Sequence, residues 1–141
     1  MFRILVAAGV LIPLLLACAP SVMPVGNERQ PIVVTELNDG KVVELAMGDM
    51  LAVELSAIPG TGYSWAPSTG ADAVLVQMEP KVEFRPKPQE TSERRVGAAE
   101  TQVLRFQARK QGITDLVVDY RRPWEKSTPP ERRFHLKVVV R

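Results

Sequence analysis

The sequence predicts an all-β protein, an immunoglobulin-like antiparallel β-sandwich of seven to eight strands. Three observations lead there. Apolar residues recur with period two, as in Leu116, Val118 and Tyr120, or Phe134, Leu136, Val138 and Val140, which marks strands buried on one side. No segment sustains the 3.6-residue period of an amphipathic helix. Turn-forming residues punctuate the chain between short apolar runs, as a sandwich requires.

The elements follow in order. Ile32 to Leu37 and Lys41 to Leu45 flank Asn38-Asp39-Gly40, a sequence that predicts a hairpin. Met50 to Ser56 alternates, with Leu51, Val53 and Leu55 inward and Glu54 outward. Ala57-Ile58-Pro59-Gly60-Thr61-Gly62 is a turn-rich connection. Tyr63-Ser64-Trp65 opens the next strand, with both aromatics on one face. Ala73 to Phe84 reads as one strand, or as two broken at Pro80, and a long loop runs from Arg85 to Ala99. Glu100 to Arg109 places Leu104, Phe106 and Ala108 on one face, and Lys110-Gln111-Gly112 is a tight turn. The last two strands, Ile113 to Tyr120 and Arg132 to Val140, are joined by a connection holding Arg122-Pro123-Trp124 and Pro129-Pro130. Proline presets φ and cannot donate to a ladder, so this connection is stiff and lies outside the sheet.

Order has a geometric consequence. In a chain whose strands run alternately up and down, alternate connections lie at the same end. The first loop (Pro59 to Gly62), the middle loop (Arg85 to Ala99) and the last loop (Arg122 to Pro130) are therefore predicted to be neighbours, carried by a rigid scaffold.

The bulk composition narrows the function. The chain has 141 residues, 45% of them hydrophobic, and a formal net charge of +2. That suffices for one domain with a sizeable core. It offers no electrostatic case for nucleic acid, and Arg94-Arg95, Arg121-Arg122 and Arg132-Arg133 read as a solvated rim.

The first seventeen residues read as a secretory signal. A positive Met1-Phe2-Arg3 precedes the apolar run Ile4 to Leu16, which is too short to span a bilayer comfortably. Leu15-Leu16-Ala17-Cys18 then resembles the bacterial lipobox, in which the cysteine becomes the lipidated first residue. Cys18 is the only cysteine, so an intramolecular disulfide is ruled out. Residues 18–30 read as a polar tether and 31–141 as the folded domain. Ala19 after the cysteine favours, by resemblance to bacterial sorting rules, the outer membrane, facing the periplasm or the cell surface.

Catalytic chemistry has no foothold. His135 is the only histidine and sits at a solvent-face position of the last strand, without the positioned partners a general base needs. There is no Gly-x-Ser-x-Gly elbow, no Cys-x-x-Cys and no acidic metal-binding loop. No enzyme, metal or cofactor is expected. Binding has more support: Gly60 and Gly62 permit close backbone approach, Gly97-Ala98-Ala99 is a second small surface, and Trp124 supplies apolar area.

These motifs resemble those of the chagasin family of cysteine-protease inhibitors. Ile58-Pro59-Gly60-Thr61-Gly62-Tyr63 is similar to the family's Asn-Pro-Thr-Thr-Gly-Tyr. Arg122-Pro123-Trp124 matches its third motif, and Val96-Gly97-Ala98-Ala99 keeps the first glycine of its Gly-x-Gly-Gly. The resemblance covers roughly Pro31 to Arg141. It implies a monomeric sandwich whose partner is a papain-like cysteine protease, with three loops wedged into the active-site cleft. Pro59, Gly60, Thr61 and Gly62 would cover the catalytic centre, with Tyr63 beside them in the protease-binding surface, Gly97, Ala98 and Ala99 would close one flank, and Arg122, Pro123 and Trp124 the other. Gly60 stands where the family has a threonine that lies against the catalytic residues. Two other readings remain: an envelope module using the same loop end for another partner, and an accessory subunit binding through an exposed edge strand, Arg132 to Val140, with Val139 outward.

Overall fold

A computed structural model describes residues 29–87 and 97–141. Nine strands form two sheets: β1 (Ile32–Thr35), β2 (Val42–Leu45), β3 (Met50–Ala57), β4 (Ser64–Thr69), β5 (Leu75–Gln77), β6 (Glu83–Pro86), β7 (Glu100–Ala108), β8 (Gly112–Arg121) and β9 (Arg132–Val140). One sheet has the order β1-β3-β7-β5, with β6 also on β7, and the other β2-β9-β8-β4. The two sheets face each other across Leu51, Val53, Leu55, Leu104 and Phe106 on one side and Leu116, Val118, Phe134, Leu136 and Val138 on the other, all buried. Every residue that the period-two pattern turned inward is in this core except Tyr63, which is half-buried against it. Cys18, the signal segment and most of the tether lie outside the described residues.

Four expectations are corrected. Asn38-Asp39-Gly40 does not join a hairpin. β1 runs parallel to β3, and β2 runs parallel to β9 in the opposite sheet. A short 3-10 turn (Glu36–Asn38) carries the chain across. The turn residues are consumed by that crossing: Asn38 accepts from the Thr35 N–H at 2.9 Å, Asp39 accepts from the His135 N–H at 2.8 Å, and Gly40, at φ 74°, donates to the His135 carbonyl at 2.7 Å. Splitting the first segment lets each half cover the edge of a different sheet, leaving fewer backbone groups unpaired. The same splitting occurs at Pro80, where β5 and β6 pair separately with β7, so the strands number nine. Because β6 runs through Pro86, the middle loop begins at Lys87. Finally, β9 is no edge: it lies between β2 and β8, and Val139 pairs with Glu44 and Ile113.

Two charge clusters brace the outer faces. Asp119 is buried, and burial opposes its charge, but Arg133 at 2.7 Å and Arg121 at 3.1 Å outweigh that and hold its carboxyl below the usual range. On the other sheet Arg105 and Arg85 bond Glu83 and lower its carboxyl from 4.5 to about 2. Arg85 also reaches Glu54 at 3.3 Å, so β6 is tied to β3 across β7. A carboxylate with a depressed folded pKa stabilises fully above its unfolded value and loses that contribution as pH falls through the folded one. Unfolding free energy from urea titrations is therefore expected to decline between about pH 4.5 and 2. Glu83→Gln should be less stable at pH 7 and show a shallower decline. A variant curve parallel to wild type over that window would remove Glu83 from the account.

Candidate functional site

The strand directions place the three connections together. β3 ends at Ala57 opposite Glu100 at the start of β7, Pro86 at the end of β6 also faces Glu100, and Ser64 at the start of β4 faces Arg121 at the end of β8. The ends of the first, middle and last loops therefore lie at one end of the sandwich, as the order of strands predicts; residues 88–96 of the middle loop lie outside the described residues. Side chains then bind the first and last loops to each other.

Pro59–Thr61 forms a single 3-10 turn closed by Gly62 in the left-handed region at φ 78°. Proline at the first turn position and glycine at its end suit this geometry. The Thr61 hydroxyl donates to the Ile58 carbonyl at 2.6 Å, so it shapes the turn from within. Gly62 has a second reason to be glycine. A Cβ there would lie 2.6 Å from Cη2 of Trp124, whose indole rests on the turn. Trp124 is nevertheless 68% exposed. It is seated but not buried, and it does not cap the core.

Arg122 ties the two loops. Its Nε donates to the Thr61 carbonyl at 3.1 Å, its Nη1 pairs with Glu125 at 3.1 Å, and its guanidinium lies 4.6 Å from the centroid of the Tyr63 ring. Arg122 and Tyr63 thus work inside the site, leaving Pro59, Gly60, Thr61, Pro123 and Trp124 toward the tip. Gly60 is exposed, with open space where a side chain would stand. Gly97, in the left-handed region at φ 84°, is exposed, and Ala98 and Ala99 are half-buried just before β7.

Beneath the loops is a platform that the motifs do not reveal. Tyr63, Tyr120 and Trp65 stack, with ring centroids 5.3 Å apart for Tyr63 and Tyr120 and 4.9 Å for Trp65 and Tyr120. The Tyr120 hydroxyl accepts from the Ile58 N–H at 3.1 Å, and the Trp65 indole donates to the Ser56 carbonyl at 3.0 Å. Arg132 lies over Trp65 at 5.1 Å. Such contacts contribute about 0.5–1.5 kcal/mol each beyond burial. The fully buried Gln102 of β7 bridges the sheets. Its amide oxygen accepts from the Trp65 N–H and its amide nitrogen donates to the Trp65 carbonyl, both at 2.7 Å. β4 is an edge strand, and this clamp satisfies both backbone groups where its free side would be unpaired. One sequence signal pointed here: Gln102 shares the inward parity of Leu104, Phe106 and Ala108.

Among the described residues, this end of the molecule holds exposed loop tips on a rigid base rather than a cleft lined with reactive groups. The only histidine, His135, lies on the outer face of β9 against Asp115 at 3.3 Å, remote from the loops. The sequence profile of the Chagasin family peptidase inhibitor I42 matches residues 44–138, a span that contains all three loops. The chain belongs to the chagasin family. That family consists of inhibitors, not enzymes. Amoebiasin-2 of Entamoeba histolytica is 27% identical over 109 residues, which cover 77% of this chain and 85% of the relative. The crystal structure of the cysteine protease inhibitor EhICP2 from Entamoeba histolytica superposes with a TM-score of 0.66 at 25% identity, covering 78% of this chain and 95% of the other. The solution structure of amebosin gives a TM-score of 0.61 at 27% identity, with 79% and 99% covered.

Proposed function

We propose that this protein is a reversible inhibitor of papain-like cysteine proteases that occludes the active-site cleft with its three loops. The observation that carries the reading is Trp124. A large aromatic is held 68% exposed at the tip of a loop that is itself braced against Gly62 and Thr61. An exposed, pre-positioned aromatic loses little entropy on binding. In the complex Pro59 to Gly62 covers the catalytic centre, Trp124 packs on the primed side, and Gly97 to Ala99 closes the other flank. Cleavage is avoided because Pro59–Thr61 is a 3-10 turn ending in a left-handed glycine, whereas a scissile bond must be presented in extended backbone. The resemblance to EhICP2, a cysteine protease inhibitor, supports a cysteine protease as the partner.

The test is inhibition of papain and cathepsin L by a soluble fragment from Gly26 to Arg141, with constants from progress curves. Tight reversible inhibition is expected. None at high micromolar concentration, with the fragment shown folded, would instead favour an envelope module that uses the loop end for another partner. Gly60 is the residue that most weakens the fit to a protease. Its backbone is not in the left-handed region and nothing stands within 4 Å of the position a Cβ would take, so Gly60→Thr should fold unchanged. Restoring a side chain at the catalytic centre is expected to lower the inhibition constant by roughly tenfold, about 1.4 kcal/mol. An unchanged or raised constant would show that this turn does not face the catalytic residues.

The protein is further proposed to be a bacterial envelope lipoprotein, anchored to the outer membrane through a lipid on Cys18. The short apolar leader ending in Leu15-Leu16-Ala17-Cys18 supports this. Mass spectrometry of the mature protein from a bacterial host reads it directly: an acylated N-terminal Cys18 is expected.

A further inference from the structure

The chain enters the sandwich at the end opposite the three loops. β1 begins at Ile32 opposite Leu51, the second residue of β3, and runs parallel to it, while the first loop leaves the far end of β3 after Ala57. Arg29 is held at the same end, where its guanidinium pairs with Asp49 at 3.0 Å in the turn before β3. That turn (residues 46–49) is bonded to the end of β7 through Gly48 to Ala108 at 2.8 Å and to the C-terminus through Met47 to Arg141 at 3.2 Å. The β7–β8 turn (residues 109–111) and the β4–β5 connection (residues 70–74), joined by the Arg109 N–H to the Val74 carbonyl at 2.9 Å, complete this end.

We infer that this end is a lipid-facing surface, and that the anchored protein stands on the bilayer with its loops pointing away from it. The inference rests on the lipid anchor proposed above. Ten residues, Ala19 to Glu28, separate Cys18 from Arg29. Covalent geometry lets them span at most about 35 Å. The anchored end is therefore kept near the headgroups. The loop tips stand farther out by the length of the sandwich, about 33 Å for the ten-residue β8. The surface suits its partner: Arg109 and Lys110 are exposed, with no ion pair among the described residues, Met47 and Ile113 expose apolar side chains beside them, and the nearby Asp72 carboxylate is engaged by the Thr114 hydroxyl at 2.9 Å and the Val74 N–H at 2.8 Å. Cations with interspersed apolar groups fit an anionic bilayer. At the loop end, by contrast, the exposed Trp124 stays clear of lipid and free for a protein.

The test uses the chain Cys18–Arg141, coupled through its single thiol to a maleimide phospholipid in phosphatidylcholine–phosphatidylglycerol vesicles that also carry a nitroxide headgroup lipid. Trp65 is buried, so the quenchable signal in the wild type is Trp124. A Met47→Trp, Trp124→Phe variant moves the probe to the anchored end, and thermal melts of each protein verify folding. Quenching at position 47 at least threefold above that at Trp124 is expected. Equal quenching, or stronger quenching of Trp124, would overturn the inference. Because the lipid is attached chemically, neither result depends on lipidation in the cell. Papain inhibition by the vesicle-bound chain is expected within about threefold of that by the free chain. Inhibition by the free chain alone would count against the outward orientation. Absence of inhibition by both would count against the proposed function, while the quenching still decides the orientation.

Discussion

Replacing Trp124 with alanine is expected to raise the inhibition constant against papain by roughly 30- to 1000-fold, about 2–4 kcal/mol, the range for a central aromatic anchor. The fold should not notice. Trp124 is 68% exposed and contributes nothing to the buried core, so the urea midpoint of the variant should stay close to wild type. A variant that inhibits as well as wild type would refute the wedge. Gly62→Ala approaches the same contact from beneath. Its Cβ would collide with the Trp124 ring at 2.6 Å, and its φ of 78° is one an alanine adopts only under strain, about 1–2 kcal/mol. The indole must then move, so inhibition should fall even though every residue at the loop tip is retained. The two substitutions act on one contact. Their effects on binding are expected to be strongly non-additive in a double-mutant cycle.

Gln102→Leu is expected to be the most damaging single change to stability outside the apolar core, by about 2–5 kcal/mol. The side chain is fully buried and bonds both backbone groups of Trp65 at 2.7 Å. Leucine is of similar size, so the cavity term is small, but an N–H and a C=O would be left without partners away from water. Each such group costs about 1–3 kcal/mol. Equilibrium unfolding in urea measures the loss. A cost below about 1 kcal/mol would mean that water reaches the Trp65 backbone and that the clamp is not needed. Tyr63 is two residues from Trp65 and supports Arg122, so inhibition should weaken as well. Tyr120→Phe serves as the comparison: it removes only the bond to the Ile58 N–H and should cost less.

Much of this molecule can be read from residue order. Alternation placed Leu51, Val53, Leu55, Leu104, Phe106, Leu116, Val118, Phe134, Leu136 and Val138 in the core, because a strand turns every second side chain to the same face. Strand order brought three loops to one end, because antiparallel neighbours alternate direction. The motifs Pro59 to Tyr63 and Arg122 to Trp124 picked out two connections that the fold sets side by side. None of this required knowing which strands pair. What the sequence could not decide depends on pairing between distant segments. Asn38-Asp39-Gly40 has the local chemistry of a hairpin, yet the edges of two different sheets compete for its flanks and win more backbone bonds. β9 alternates like an edge strand, yet β2 covers it. Gln102 looks like a polar misfit in an inward register until the open side of β4 arrives to meet it. Arg122 reads as a tip residue, but only the folded chain lays it over Tyr63 and draws it in beneath the loops. Local periodicity specifies which face a residue takes. Only tertiary contact, in which backbone groups must find partners as water leaves, specifies what it meets there.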